Sequence, residues 1–199
     1  MTLRLEYPPG ATPLDPDEIQ GLIPSYISTQ GELNAAEQAN ILEAEAWASG
    51  KTHKDILNDS FIRNLHKRMF SKVWRWAGTY RKSDKSIGMP WPQVTSEIQN
   101  LCADAAYWIQ HSTYGWDELA ARVHHRLVAI HPFPNGNGRH ARLLTNILLT
   151  AHGEKAFTWG ERTATDEIGV AGKTRTAYIE ALRAADKRQF ELLVKFVRS

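Results

Sequence analysis

Residues 131–142, HPFPNGNGRHAR, bring a histidine, a glycine-rich turn and two arginines into one short stretch. Histidine has a reference pKa of about 6.5, so His131 can accept a proton from a hydroxyl group at neutral pH. Arg139 and Arg142 are three residues apart, so they share a helix face from which both can bind phosphate oxygens. A base beside two such cations predicts a site for phosphoryl or nucleotidyl transfer.

The glycines of this stretch predict an anion site at the start of a helix. Pro132 disfavours helical geometry at His131, so one helix ends there and the next begins within 135–138. The first turn of a helix leaves N–H groups without partners and carries partial positive charge. Gly136 and Gly138 let a phosphate approach this backbone closely. Taken alone, the histidine is also typical of a packing residue and NGNG of a simple turn. The combination is what indicates a site.

The rest of the chain supplies mainly helices to position this turn. Apolar residues recur with a helical period in most of the sequence. The predicted helices cover residues 32–50, 55–78, 96–112, 115–130, 137–153 and 175–197. Residues 79–94 contain Gly88, Pro90 and Pro92 and lack this period, so they predict a short β-hairpin flap. The predicted fold is all-α with one hairpin flap near residues 79–94, because no strand–helix alternation indicates a parallel sheet.

Composition favours an ordinary globular protein in a reducing compartment. The 199 residues suit one domain, and the net charge of +2 does not favour nucleic acid as a partner. Basic clusters at 63–75 and 81–85 are typical of solvated faces. Cys102 is the only cysteine, and no secretory leader or membrane span is visible, which predicts a cytoplasmic protein that binds no membrane.

The stretch from 131 to 142 resembles the signature of the Fic family, H-x-F-x-[D/E]-G-N-G-R-x-x-R. The matching positions are His131, Phe133, Gly136, Asn137, Gly138, Arg139 and Arg142. LHKRMFSKVWRWAGTYR resembles the family's helix before its flap, and TYRKSDKSIGMPWPQV resembles the flap itself. The N-terminal arm and STQGELNAAEQ are similar to a Fic subgroup named mobile mystery protein B. We therefore expect an arm with a candidate regulatory segment over 1–34 and a Fic domain over 35–199.

The resemblance implies a Fic-type helical bundle that binds ATP with Mg²⁺. Such a protein moves AMP onto a Ser, Thr or Tyr hydroxyl of a target protein. By motif position, His131 is the general base, and Asn137 holds the phosphates together with the backbone of 136–138. Arg139 then pairs with phosphate, and Arg142 lies towards the γ-phosphate.

Asn135 departs from the family pattern, which has Asp or Glu there to hold the magnesium ion. A neutral amide oxygen predicts a weaker metal site, in which Mg²⁺ binds mainly through the ATP phosphates. The departure leaves open a transferase that uses another nucleotide, and a nucleotide- or protein-binding regulator without turnover. Phosphate transfer, as in the Doc branch, is disfavoured because Doc-type proteins usually carry Lys where this chain has Gly138.

The resemblance also concerns target binding and regulation. A Fic flap aligns its target as an added β-strand, and Ile87 and Met89 are the candidates to hold that strand, although both are equally suited to packing the flap. Many Fic proteins are silenced by a helix with [S/T]-x-x-x-E-[G/N], whose glutamate occupies the second arginine. Ser28 and Glu32 have this spacing but Leu33 follows, so an inhibitory helix and a simple helix cap are both open. An antitoxin-like protein partner is the other expected mode of silencing.

Overall fold

The structure is a computed structural model that describes residues 13–50, 53, 55–160 and 168–199. Its helices are α1 (Pro16–Ile19), α2 (Gln30–Ser49), α3 (Asp59–Phe70), α4 (Val94–Gln110), α5 (Trp116–Ile130), α6 (Asn137–Ala151), α7 (Ile168–Asp186) and α8 (Glu191–Val197). A 3-10 turn at Trp91–Gln93 leads into α4. Within the described residues, β-pairing is limited to one antiparallel bridge between Leu22 and Trp74. The predicted all-α class is confirmed.

The paired helices α5 and α6 lie at the centre of the bundle and present the connecting turn to the site. Their apolar faces are almost completely buried, as Leu127 on α5 and Leu144 and Leu148 on α6 show. Burial of each such side chain contributes about 1.5–3 kcal/mol relative to exposure. The turn between the two helices, residues 131–136, is therefore held from both ends by well-packed core.

Helix α3 is shorter than the sequence pattern predicts, since it ends at Phe70 and not near Gly78. The amide of Asn40 on α2 explains the stop, because it accepts from the Lys72 N–H and donates to the Arg68 carbonyl, at 2.9 and 2.7 Å. These contacts satisfy backbone groups that would otherwise continue the helix. The residues that follow instead turn towards the bridge between Leu22 and Trp74.

Residues 79–90, called here the flap loop, cover the turn between α5 and α6 but do not form the predicted hairpin strands. The Arg81 N–H donates to the Pro132 carbonyl at 3.0 Å, and the Met89 N–H donates to the Ile130 carbonyl at 3.3 Å. The backbone N–H groups at both ends of the loop thus donate to residues 130 and 132 and do not pair in a ladder with each other. Pro90 also offers no N–H for a ladder, so regular pairing fails.

The N-terminal segment is tied to the flap loop through a buried lysine. The Lys85 side chain, 3% exposed, donates to the Asp15 and Glu18 carboxylates at 2.6 Å each. Asp15 and Glu18 also form the capping box of α1. The part of the expected arm at residues 1–12 lies outside the described residues. Helix α2 runs through the boundary expected between residues 34 and 35.

Candidate active site

His131 ends α5 in a left-handed conformation, with φ 54° and ψ 59°. Its N–H still completes the helix by donating to the Leu127 carbonyl at 3.2 Å. Pro132 disfavours a helical conformation here, so the chain reverses direction at the histidine. The residue is only 7% exposed, which places the imidazole in a nearly closed position beneath the flap loop.

The environment keeps the His131 imidazole neutral. Burial, followed by the charge of Arg81, lowers the pKa of His131 to about 4. A neutral imidazole can accept a proton at pH 7, which is the state that a general base requires. The predicted candidate base thus lies where the turn leaves α5, in a form able to act.

Asn137, the first residue of α6, locks the turn. Its side-chain oxygen accepts from the Phe133 N–H at 2.9 Å, and its side-chain nitrogen donates to the Phe133 carbonyl at 2.8 Å. The side chain is buried and both of its polar atoms are engaged within the turn. The Asn137 side chain therefore holds the turn in shape, and the backbone N–H of Asn137 lies at the start of α6. The binding of phosphate by Asn137 stays a prediction.

The N-terminus of α6 presents backbone donors to an open face. The first intrahelical bond runs from the His140 N–H to the Gly136 carbonyl at 2.9 Å, so the three N–H groups of 137–139 precede it. Gly136 has φ +78°, and a Cβ there would meet the Phe70 ring at 2.5 Å, so only glycine fits. A Cβ on Gly138 would meet no atom within 4 Å. The helix start is thus accessible on the Gly138 side, as an anion site requires.

The two arginines of the motif have different neighbours. Arg139 pairs with the buried Glu37 carboxylate on α2 at 2.8 Å and keeps 40% of its side chain exposed. Arg142 lies against two aromatic rings, with its guanidinium carbon 4.7 Å from the Tyr178 ring centre and 5.5 Å from that of Trp159. Each guanidinium is oriented by a packed partner, which reduces the entropy lost when an anion binds.

His66 on α3 supports the turn from below and was missed in the sequence. Its Nδ1 accepts from the Gly78 N–H at 3.0 Å, so its Nε2 carries the proton and donates to the Asn135 carbonyl at 3.0 Å. Its ring also stacks on Phe133 with centroids 3.7 Å apart. Burial lowers the pKa of His66 well below its usual value, so the ring stays neutral. A lone histidine on a helical face gave no signal of this role.

The side chain of Asn135 bonds to the backbone of the motif turn. Its side-chain oxygen accepts from the Gly136 N–H at 2.6 Å. Over the described ranges, no group of three or more His, Cys, Asp or Glu side chains could hold a metal ion. The Asn135 side-chain oxygen lies at the motif turn, and its role as a weak metal ligand stays a prediction.

The two candidate target-binding residues of the flap loop differ in exposure. Ile87 is 48% exposed on the flap loop, whereas Met89 packs against the main core, so Ile87 is the better placed to meet a target.

The candidate inhibitory residues, Ser28 and Glu32, bond to each other at the start of α2. The Glu32 carboxylate accepts from the N–H groups of Ser28 and Thr29 and from the Ser28 hydroxyl, at 2.8–3.1 Å. This pair therefore caps α2, and the carboxylate that meets a motif arginine is Glu37.

The comparisons with known proteins agree with this geometry. Residues 56–149 match the model of the Fic/DOC family. The chain contains a Fic/DOC family domain. The match includes α3, the flap loop, α5, the motif turn and most of α6, whereas Glu37 on α2 and Tyr178 on α7, which contact the motif arginines, lie outside it.

Two relatives that are similar to this chain in sequence carry the name of protein adenylyltransferase, one of them as a probable enzyme. The chain is 28% identical over 151 residues to protein adenylyltransferase fic-1 of Caenorhabditis briggsae, covering 74% of this chain and 27% of that one. It is 27% identical over 190 residues to a probable protein adenylyltransferase of Aquifex aeolicus, covering 92% and 51%. The chain thus spans between about a quarter and a half of the length of these relatives.

Solved structures show the same fold. The N-terminal Fic domain of a putative cell filamentation protein from Bartonella quintana has a TM-score of 0.68 at 18% identity, covering 90% of this chain and 92% of that one. BepC from Bartonella tribocorum, solved with bound AMPPNP, has a TM-score of 0.67 at 19% identity, covering 92% and 97%. At these identities the likeness establishes the Fic fold alone.

Proposed function

We propose that this Fic domain transfers AMP from ATP to a Ser, Thr or Tyr hydroxyl of a target protein. The observation that carries the proposal is the arrangement of one turn, with neutral, buried His131 at its start and the open N-terminus of α6 at its end. The adenylyltransferase names of the relatives and the AMPPNP-bound neighbour support the same reaction.

The proposed reaction is a displacement at the α-phosphorus of ATP. The target hydroxyl oxygen forms a bond to this phosphorus, the bond to the bridging oxygen breaks, and pyrophosphate leaves with the electron pair. His131 accepts the hydroxyl proton. The N–H groups of 137–139 and the Arg139 guanidinium stabilise the phosphate charge, and Arg142 lies towards the leaving group. The residues 35–199 form the proposed Fic domain.

Magnesium is proposed to arrive with ATP. The candidate ligand from the motif is the neutral Asn135 amide oxygen, which already accepts from the Gly136 N–H. The described residues hold no cluster of three or more His, Cys, Asp or Glu side chains that could hold a metal ion. Mg²⁺ takes much of its coordination from phosphate oxygens and water, so this donor set suits a weakly held ion that neutralises phosphate charge. No step of the proposed reaction uses a metal-bound intermediate.

The flap loop is the proposed site for the target chain. It lies directly over His131, and Ile87 is its exposed apolar side chain. The loop forms no strand in the described structure, so its backbone is not committed to a hairpin ladder. A target segment that bonds to this backbone would place a hydroxyl near the base.

Two labelled forms of ATP test the function. The protein is incubated with a cell lysate and ATP labelled on either the α- or the γ-phosphate, and labelled proteins are separated on a gel. AMP transfer predicts label on protein from α-labelled ATP alone. Label from γ-labelled ATP alone contradicts the proposal in favour of phosphate transfer. Measured ATP binding without label from either form supports a regulator without turnover, which the neutral Asn135 favours.

In the described part of the chain, no helix is long and apolar enough to cross a bilayer. The cytoplasmic location and the antitoxin-like partner stay predictions from the sequence.

A further inference from the structure

Arg81, at the start of the flap loop, is buried together with its whole charge. Its side chain is completely covered, and its nearest acidic neighbour is the exposed carboxylate of Asp84 at 3.7 Å. A buried cation with so distant a counter-ion is costly unless its donors are satisfied by other groups. The basic cluster at 81–85 was predicted to be solvated, and this prediction is wrong for the side chains of Arg81 and Lys85, which are buried.

Backbone carbonyls from two segments satisfy the guanidinium. On the motif side, Nε donates to the His131 carbonyl at 2.7 Å and Nη2 to the Ile130 carbonyl at 3.4 Å. On the flap side, Nη1 donates to the Ser83 carbonyl at 2.8 Å, and Nη2 also donates to the Met89 carbonyl. The planar fork of arginine allows this simultaneous contact, whereas lysine has a single rotating ammonium group.

The bond to the His131 carbonyl falls at a strained position. A non-glycine residue in the left-handed region costs about 1–3 kcal/mol and persists only where its surroundings hold it. The Arg81 side chain meets the carbonyl that this conformation directs inward, at 2.7 Å. The direction of the imidazole follows from the same backbone, so Arg81 fixes where the candidate base points.

The flap loop also touches His131 directly. A Cβ on Gly88, which has φ +106°, would lie 2.7 Å from the His131 Cβ and 2.9 Å from the Arg81 Nη2. The loop backbone therefore packs on the histidine without any intervening side chain. The Arg81 side chain thus contacts the start of the loop, the end of the loop and the backbone of His131, and it holds the three in fixed relative positions.

We propose that Arg81 is a positioning residue that holds the flap loop and the His131 backbone as one unit. It aligns the base with whatever hydroxyl the loop presents. The inference rests on the proposed function for its kinetic consequence, and its structural consequence is independent of turnover. A purely architectural role would affect folding and nucleotide binding together, so the two roles can be separated.

Three variants form the test. Arg81→Met removes every guanidinium donor at similar length, and Arg81→Lys keeps the charge without the fork. Lys187→Met, at an exposed position just after α7 and outside the flap loop, is the matched control. We expect Arg81→Met to lower kcat for AMP transfer about a hundredfold, because misplacing a catalytic group by about 1 Å has this effect. Arg81→Lys should be intermediate, and Lys187→Met should match wild type.

The affinity for ATP separates positioning from architecture. Arg81 contacts the loop and residues 130–132, and not the donors at 137–139, so Kd for ATP should change by less than about twofold. Wild-type kcat in Arg81→Met overturns the proposal. A loss of ATP affinity equal to the loss of kcat also overturns it, because it shows a general structural defect.

A readout without turnover completes the test. The His131 imidazole is titrated by NMR, and amide hydrogen exchange is followed at Met89. We expect Arg81→Met to raise the pKa of His131 towards 6.5 and to speed exchange at Met89, since the nearby charge and the loop contact are lost. Wild-type values for both overturn the proposal even if wild type transfers no AMP, which would count against the proposed function alone. If Arg81→Met does not fold, Arg81→Lys and Gly88→Ala carry the hydrogen-exchange measurement, and exchange at Met89 should be faster than in wild type in both, because the contacts between the loop and residues 130–131 are disturbed. Wild-type exchange at Met89 in both overturns the proposal.

Discussion

The Glu37 carboxylate on α2 joins Arg139 of the motif to the core of the bundle. One of its oxygens lies 2.8 Å from the Arg139 guanidinium, and the other accepts from the indole N–H of Trp74 at 2.6 Å. Glu37 and Trp74 are both buried, whereas Arg139 keeps part of its surface exposed. The carboxylate thus orients an arginine whose remaining donors can reach a phosphate.

This relationship predicts the response to substitution of Glu37. Glu37→Ala leaves the buried Trp74 N–H without its acceptor and should lower the free energy of unfolding by about 1–3 kcal/mol. Glu37→Gln retains an oxygen for Trp74 and should lose less. Urea unfolding of both variants gives the comparison. Equal losses in the two variants would show that the charge pair with Arg139, and not the indole bond, dominates.

Substitutions at Gly136 and Gly138 should have different effects, the first on the stability of the fold and the second on ATP binding. Gly136→Ala adds a Cβ in a left-handed conformation against the Phe70 ring, so we expect a loss of about 2–5 kcal/mol in the free energy of unfolding. Gly138→Val enters open space and should leave stability within about 1 kcal/mol of wild type.

ATP affinity is the second measurement on this pair of glycines. A side chain at position 138 crowds the open face of the helix start, so Gly138→Val should weaken ATP binding about tenfold, or roughly 1.4 kcal/mol. Calorimetric titration and thermal melting check the two effects. If Gly138→Val binds ATP like wild type, phosphates do not lie on this turn.

The motif turn was predictable from the sequence because its signals are local. Pro132, the glycines and the apolar stripes of α5 and α6 lie within one short stretch, and the structure ends α5 at Ile130 and begins α6 at Asn137. The supporting contacts were not predictable, because they join distant residues. Glu37 and Arg139 are 102 positions apart in the sequence. Asn40, which bonds to the end of α3, is 28 positions from its partner Arg68.

The burial of polar residues was also not predicted from the sequence. Arg81 lies in a basic, turn-forming segment, where charged residues are typically solvated. Its burial is stabilised by the carbonyl groups of residues 130–131 at the end of α5, together with those of Ser83 and Met89 in the loop, and the first pair is distant in the sequence. The predicted hairpin failed for a related reason, since the loop backbone bonds to the same turn.

Asn135 should set the magnesium requirement. In Asn135→Asp one carboxylate oxygen can keep the bond from the Gly136 N–H while the other faces the ion, which gains direct charge attraction. We expect the magnesium concentration for half-maximal AMP transfer to fall about tenfold, which is roughly 1.4 kcal/mol. Asn135→Ser serves as the neutral control. Magnesium dependence of ATP binding, measured by calorimetry, should shift in parallel, and identical curves for all three proteins would mean that residue 135 does not contact the ion.

Buried histidines should make the protein sensitive to acid. Burial lowers the pKa of His124 to about 3 and that of His140 to about 4, below the value of about 6.5 in the unfolded chain. Between these values and pH 6.5 the unfolded chain binds more protons, so stability is present at neutral pH and is lost as pH falls from 6.5 towards 4. Each histidine contributes up to about 1.4 kcal/mol per pH unit in this window.

Urea unfolding at intervals from pH 7 to pH 4.5 measures this slope. His124→Gln should reduce the slope by about one proton, because its imidazole is held neutral only in the folded chain. A slope that does not respond to His124→Gln would mean that this imidazole titrates alike in both states.

One substitution tests the proposed role of His131 as the base in AMP transfer. His131→Ala and wild type are compared for label transferred from α-labelled ATP to protein, and for ATP affinity by calorimetry. We predict that transfer falls by at least about a hundredfold while Kd for ATP stays within about threefold, because the base acts on the hydroxyl and the phosphates lie on α6. Wild-type transfer by His131→Ala would contradict the account.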